Sequence, residues 1–115
     1  MTRTFDIVIV GADAAAIAAT ADAANRGQSV LLVMRPRLAS LARELRLSLR
    51  VVRLSSRRRV TVASGAEVAC VDGVNGIEAV LVRHLRTGRL TGLNASALLD
   101  FGESVVSKRT ATAGK

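Results

Sequence analysis

The residues with the clearest capacity for chemistry form a glycine and alanine loop near the amino terminus. After an apolar run the chain continues Gly11-Ala12-Asp13-Ala14-Ala15-Ala16, in the place of a Gly-x-Gly-x-x-Gly/Ala pattern. Such a loop binds a pyrophosphate, because its glycines admit the anion and the following helix presents its positive end. Asp13 replaces the middle glycine, and its Cβ and carboxylate oppose a dianion. The sequence therefore predicts a weakened phosphate loop; alternatively, Asp13 only caps the helix.

A second candidate element follows the next apolar run, where the chain continues Arg35-Pro36-Arg37. An acidic residue here would bind a ribose 2′-hydroxyl, whereas arginines would accept a 2′-phosphate. No acid is present, so we expect NADP(H) rather than NAD or FAD if a dinucleotide binds; alternatively, these are two solvated arginines. The candidate cofactor-binding residues are Gly11, Ala12, Asp13, Ala14, Arg35 and Arg37.

His84 and Cys70 are the remaining residues that could carry chemistry, and both are interpreted as ordinary strand residues. His84 is the single histidine, and alternation places it on the face of Val80 and Val82. Cys70 is the single cysteine, which excludes an internal disulfide and a cysteine-pair redox centre within one chain. We predict no metal site and no catalytic set, so any catalysis would need another chain.

The elements that must position these residues give an α/β, Rossmann-like three-layer fold. The runs at 6–10 and 29–34 have no alternation, as in strands buried on both faces of a parallel sheet, and the alanine-rich stretch 14–25 forms the helix of a βαβ unit. Gly27 is expected as a left-handed C-cap. From Val60 onward a β-meander is predicted over VTVAS, EVACV, IEAVLVRHL and RLTGL, with ASALLDF as a last strand. The prediction is a single domain over 1–102 and a flexible tail over 103–115.

Between these parts the sequence predicts a second helix, from about residue 38 to residue 57, with arginines along one face. A core-facing stripe is expected at Leu38, Leu41, Leu45, Leu49 and Val52, and a further apolar face at Leu47, Val51 and Leu54. We expect a homodimer or a partner protein to contact this helix; the alternative is a solvated face. Its arginines are Arg43, Arg46, Arg50, Arg53 and Arg57.

Composition limits the classes of protein that are possible. With 115 residues, half of them apolar, the chain can bury one core, so a two-domain reductase does not fit. A net charge of +8 favours anionic partners, but Phe5 and Phe101 are the only aromatic residues, so nucleic-acid binding is not expected. The chain has neither a signal-peptide pattern nor an apolar run of about 18 residues, which predicts a cytoplasmic protein without a membrane span.

Several stretches together resemble a known family. The order of VIVGADAAA, LLVMRPR, EVACVDG, GIEAVLVRHLRTG and ALLDFG, over about 5–102, is similar to the NADPH-binding domain of thioredoxin-reductase-like pyridine-nucleotide disulfide oxidoreductases, in the two-dinucleotide-binding flavoprotein superfamily. The resemblance implies pyrophosphate contacts at Gly11, Ala12 and Ala14, and 2′-phosphate contacts at Arg35 and Arg37. The 115 residues contain a single cysteine and so lack the redox cysteine pair of that family, and we expect no flavin domain among them.

Two hypotheses follow from the residues and the resemblance together. The first is a stand-alone NADP(H)-binding domain with a degenerate phosphate loop, acting with a separate flavin or disulfide partner. The second is a non-catalytic dimerising or adaptor domain that has lost its cofactor.

Overall fold

The computed structural model describes residues 3–35, 50–51, 53–54, 57–73, 79–101 and 107–110. Its elements in chain order are β1 (Arg3–Phe5), β2 (Ile7–Val10), α1 (Ala14–Asn25), β3 (Val30–Met34), β4 (Val60–Ser64), β5 (Ala66–Gly73), β6 (Ala79–His84), β7 (Leu90–Ala95), β8 (Leu98–Asp100) and β9 (Ser107–Thr110). Among these residues, no helix has the length and apolar character needed to cross a membrane.

The first sheet is parallel and has the strand order β4-β3-β2-β8. Every residue of β2 and β3 is buried, as their unbroken apolar sequences predict for strands covered on both faces. The β2–α1–β3 unit confirms the predicted βαβ arrangement. VTVAS was expected in the meander, and that assignment is wrong: it is β4, which pairs in parallel with β3. A β-branched run has the same composition in either sheet, so only its pairing partner shows which of the two sheets it joins.

The second sheet has the order β1-β7-β6-β5-β9. Its centre, β5 to β7, is the expected antiparallel meander, with a bulge in β5 between Val68 and Cys70. β1 and β9 add to its two edges in parallel. Within 103–115, for which the sequence predicts a flexible tail, the structure describes Ser107–Thr110 alone, and these residues form β9.

Alternate residues of the parallel sheet pack against two different layers. Ile7 and Ile9 contribute to a core with α1, whereas Val8 and Val10 contribute to a core with the meander. The structure therefore confirms the α/β fold with three layers: helix, parallel sheet and second sheet. Burial of each such Val or Ile side chain stabilises the fold by roughly 1.5–3 kcal/mol, so β2 and β3 are major contributors to stability.

The helix α1 begins and ends as its sequence predicts. Asp13 is the N-cap, and at the other end Gly27 has φ +83° while its N–H donates to the carbonyl of Ala24. This is the left-handed termination expected of glycine. The buried face consists mainly of small residues, which let the helix lie close to the parallel sheet: Ala16, Ile17, Thr20, Ala23 and Ala24.

The described part of the arginine-rich segment corrects one expectation. Arg50, Val51, Arg53 and Leu54 are helical, and Val51 and Leu54 are buried in the core that also contains α1 residues. The prediction that they form an apolar face apart from the core is therefore wrong. In a helix with two leucine and valine stripes, periodicity alone does not show which one faces the sheet. Arg50, Arg53 and Arg57 are exposed, while Arg43, Arg46 and the expected core stripe lie outside the described residues.

Candidate functional site

The candidate cofactor residues that the structure describes lie along one edge of the parallel sheet. Gly11 follows β2 and Arg35 follows β3, while Gly65 follows β4 and Phe101 follows β8. Because these strands are parallel neighbours, their carboxyl ends meet at the same edge. Open α/β sheets bind ligands at this edge.

Gly11 occupies a position that admits no side chain. Its φ is +152°, and a Cβ added there would lie 2.8 Å from the Cβ of Ala16 and 3.1 Å from the Cβ of Phe101. Its N–H donates to the carbonyl of Val33 at 3.0 Å, which fixes the loop against β3. Glycine is thus required for β2, α1 and the end of β8 to approach each other. The first glycine of a phosphate loop is needed for its tight turn in the same way.

The carboxylate of Asp13 lies at the amino-terminal end of α1. Its Oδ1 accepts a hydrogen bond from the N–H of Ala16 at 2.9 Å, and its backbone carbonyl accepts from Ile17. The structure therefore confirms that Asp13 is a helix cap. A pyrophosphate bound at this helix end would therefore meet the negative charge of the Asp13 carboxylate. The flanking residues complete the loop: Ala12 is partly buried against the α1 core and Ala14 is exposed.

Arg35 lies in a cleft at the same edge of the sheet and has an acidic neighbour. Its Nε is 3.8 Å from Oε1 of Glu67, and Oε2 of Glu67 accepts a hydrogen bond from Arg83 at 3.2 Å. Glu67 belongs to β5, so reasoning from the residues near Arg35 in sequence missed it. The position of Arg37 lies outside the described residues. The cleft has a volume of about 700 Å³ and is lined by Arg35, Ser64, Gly65, His84, Leu85, Arg86, Thr87 and Arg89.

The β6–β7 hairpin forms the opposite wall of this cleft and is fixed by backbone hydrogen bonds. The N–H of Leu85 donates to the carbonyl of Gly65 at 2.9 Å, which joins the hairpin to the β4–β5 turn. Within the hairpin, Gly88 donates to His84 and His84 donates to Arg89. Sequence analysis missed Arg86 and Arg89 as site residues. The signal was present, since both flank the Thr87-Gly88 turn, but only the fold shows that this turn lies near Arg35.

The two remaining candidates have different surroundings from those expected. His84 lies on the predicted face with Val82, and it also lines the cleft, which alternation does not reveal. Cys70 is half-buried in β5, with its Sγ 3.9 Å from the carbonyl oxygen of Val71. In the part of the chain that the structure describes, no three His, Cys, Asp or Glu residues are grouped as metal ligands would be.

Comparisons with known proteins agree with this architecture. No family model and no curated protein matches the sequence. Among solved structures, thioredoxin reductase from Streptococcus pyogenes aligns with a TM-score of 0.66 and 16% identity, over 87% of this chain and 31% of its own. The enzyme from Gloeobacter violaceus gives 0.68 and 16%, over 90% and 30%. A myxobacterial chondrochloren halogenase, a variant of the FAD-dependent halogenases, gives 0.70 and 16%, over 90% and 39%.

These alignments show the class of fold. The chain has the α/β, Rossmann-type fold of thioredoxin reductases and FAD-dependent oxidoreductases, as its sequence pattern predicts. It spans about a third of the length of each of these proteins. At this low identity the likeness extends to the backbone arrangement and not to the site residues.

Proposed function

We propose that this chain is an NADP(H)-binding domain that holds the phosphorylated adenosine end of the nucleotide more strongly than the pyrophosphate. The observation that supports the proposal most strongly is the position of Arg35. This residue follows directly on β3, beside the glycine loop after β2, and lines a cleft rich in arginine. Arginine forks bind phosphate with two parallel hydrogen bonds, so the residues present fit a 2′-phosphate.

The loop between β2 and α1 fits the pyrophosphate less well. Gly11 supplies the tight turn, but the Asp13 carboxylate already accepts the Ala16 N–H. We therefore infer that the loop positions the dinucleotide weakly. The nicotinamide would supply hydride chemistry, and the residues of this chain would only bind and orient it. Such a domain needs a flavin or disulfide partner for turnover, which is part of the same proposal.

Isothermal titration with NADPH, NADH and FAD tests this function. We expect micromolar binding of NADPH and at least about tenfold weaker binding of NADH, since the two ligands differ by one phosphate and a tenfold difference is about 1.4 kcal/mol. The Arg35→Gln variant should lose much of this preference. Arg26→Gln is a matched control, because Arg26 pairs with Asp22 on the exposed surface of α1, away from the cleft. Equal affinity for NADPH and NADH would contradict the proposal.

A second candidate function is a non-catalytic dimerising or adaptor domain without a cofactor. The specific observation in its favour is that the Asp13 carboxylate occupies the amino terminus of α1. In that case the exposed arginines Arg50, Arg53 and Arg57 would contact a second copy or an acidic partner. Sedimentation of the same sample distinguishes the two: a folded dimer that gives no heat with any of the three nucleotides would favour the adaptor function.

A further inference from the structure

The β6–β7 hairpin contributes basic residues to the cleft, and the proposed function assigns no role to them. Arg86, Arg89 and His84 all line the cleft together with Arg35, and none of the described residues in its lining is a carboxylate. The hydroxyl groups of Ser64 and Thr87 also line it, and they can donate hydrogen bonds to phosphate oxygens. The composition of the lining is therefore that of a site for a compact polyanion.

Arg35 alone does not account for contact with such an anion. Glu67 faces it at 3.8 Å and also accepts a hydrogen bond from Arg83, so part of the positive charge at Arg35 is already balanced. Among the described residues that line the cleft with Arg86 and Arg89 there is no acid. An incoming phosphate would thus gain further positive charge from the two hairpin arginines.

The hairpin is also arranged in advance of binding. Its base is joined to the β4–β5 turn by the hydrogen bond between Leu85 and Gly65, and its tip is closed by those of Gly88 and Arg89. A fixed backbone reduces the conformational entropy that binding must remove. Leu85, 41% exposed, adds an apolar surface against which an adenine can lie. The volume of about 700 Å³ lies within the range of small-molecule sites.

We propose that Arg86 and Arg89 act together with Arg35 to bind the phosphate monoester on the adenosine ribose, and that the two hairpin arginines contribute to the preference for a phosphorylated nucleotide. This inference rests on the proposed function, because it names the residues that choose the ligand in that site. The shared chemistry is a set of anionic phosphate oxygens, which inorganic phosphate also offers, so the adenosine must contribute to binding as well.

Titration with adenosine 2′,5′-bisphosphate tests the inference with a ligand that contains no pyrophosphate. The unmodified protein should bind this fragment at least about tenfold more tightly than adenosine 5′-monophosphate or inorganic phosphate, since a charge-assisted hydrogen bond contributes that much or more. Arg86→Gln and Arg89→Gln should each lower the affinity for the bisphosphate about tenfold. Neither substitution should change the fold or the unfolding temperature, and circular dichroism checks both. Arg58→Gln, in a separate cavity with Arg3 and Arg59, is the matched control for loss of one charge.

The outcomes separate this inference from the proposed function. If NADPH binds in preference to NADH and the two hairpin variants keep that preference, the function stands and the role of the hairpin is refuted. If the bisphosphate binds through Arg86 and Arg89 while NADPH does not bind, the inference stands and the dinucleotide function fails. Equal binding of the bisphosphate and inorganic phosphate would overturn the inference, because the cleft would then hold any phosphate.

Discussion

The carboxylate of Asp13 allows a sharp test of how far the phosphate loop has been weakened. Asp13→Asn retains a good helix cap and removes the charge, whereas Asp13→Gly removes both the charge and the Cβ. Asp13→Ala removes the charge and the cap together. We expect the affinity for NADPH to increase from the native protein to the asparagine variant, and again to the glycine variant.

The size of the effect follows from the position of the carboxylate on the Ala16 N–H at 2.9 Å. A pyrophosphate at the same helix end would lie about 4 Å away, where two like charges in water repel by about 1 kcal/mol. The water value applies because Asp13 is exposed. Two phosphate charges give about 2 kcal/mol, which corresponds to a gain in affinity of roughly 10- to 30-fold for Asp13→Asn.

Titration calorimetry at low and high salt measures this gain, and thermal unfolding checks the cap. Asp13→Asn should leave the unfolding midpoint almost unchanged, whereas Asp13→Ala should lose about 1 kcal/mol of stability, or about 4–8 °C. The reasoning is refuted if the asparagine and glycine variants bind NADPH no better than the native protein while both remain folded. The loop would then have lost the anion for a reason other than charge.

Three further substitutions test the packing and electrostatics of the same edge of the sheet. Gly11→Ala should lower the free energy of unfolding by about 1–3 kcal/mol, because its Cβ would lie 2.8 Å from that of Ala16. Gly92→Ala is the control, because a Cβ added at Gly92 would have no atom within 4 Å. Equal losses of stability for the two variants in thermal unfolding would contradict the packing argument. Leu32→Ala, at a fully buried position of β3, should cost about 2–5 kcal/mol in chemical denaturation, and a loss below about 1 kcal/mol would show that the core relaxes around it. Glu67→Gln should change stability by less than about 1 kcal/mol, as expected for a partly exposed ion pair. It should also raise NADPH affinity by removing a negative charge 3.8 Å from Arg35, so an unchanged affinity would count against that residue as a ligand.

Local sequence patterns were sufficient for the parts of the fold that depend on neighbours along the chain. The unbroken apolar runs of β2 and β3, the alanine-rich α1 and the left-handed Gly27 all follow from period, composition and backbone preference. Predicting these features does not require knowing which distant segments each of them packs against.

The missed features all depend on pairing between distant segments. β1 has three residues with no distinctive pattern, and it forms because β7 offers it an edge. Residue periodicity could not choose between the two sheets for β4, or between two stripes for Val51 and Leu54. The candidate site shows the same limit: Glu67 is distant from Arg35 in sequence and near it in space.

Between β1 and β2 the chain passes from one sheet to the other, and a single residue, Asp6, forms this connection. Asp6 is held by three hydrogen bonds with Ser29. Its own N–H donates to both the Oγ and the carbonyl oxygen of the serine, and the serine N–H donates to the Asp6 carboxylate. The neighbours of these first strands, β7 and β8, come near the other end of the described chain. During synthesis, therefore, the amino-terminal strands leave the ribosome long before their partners do. Contacts between such distant segments slow folding, so we expect the β1–β7 and β2–β8 pairings to form after the pairing of β2 with β3.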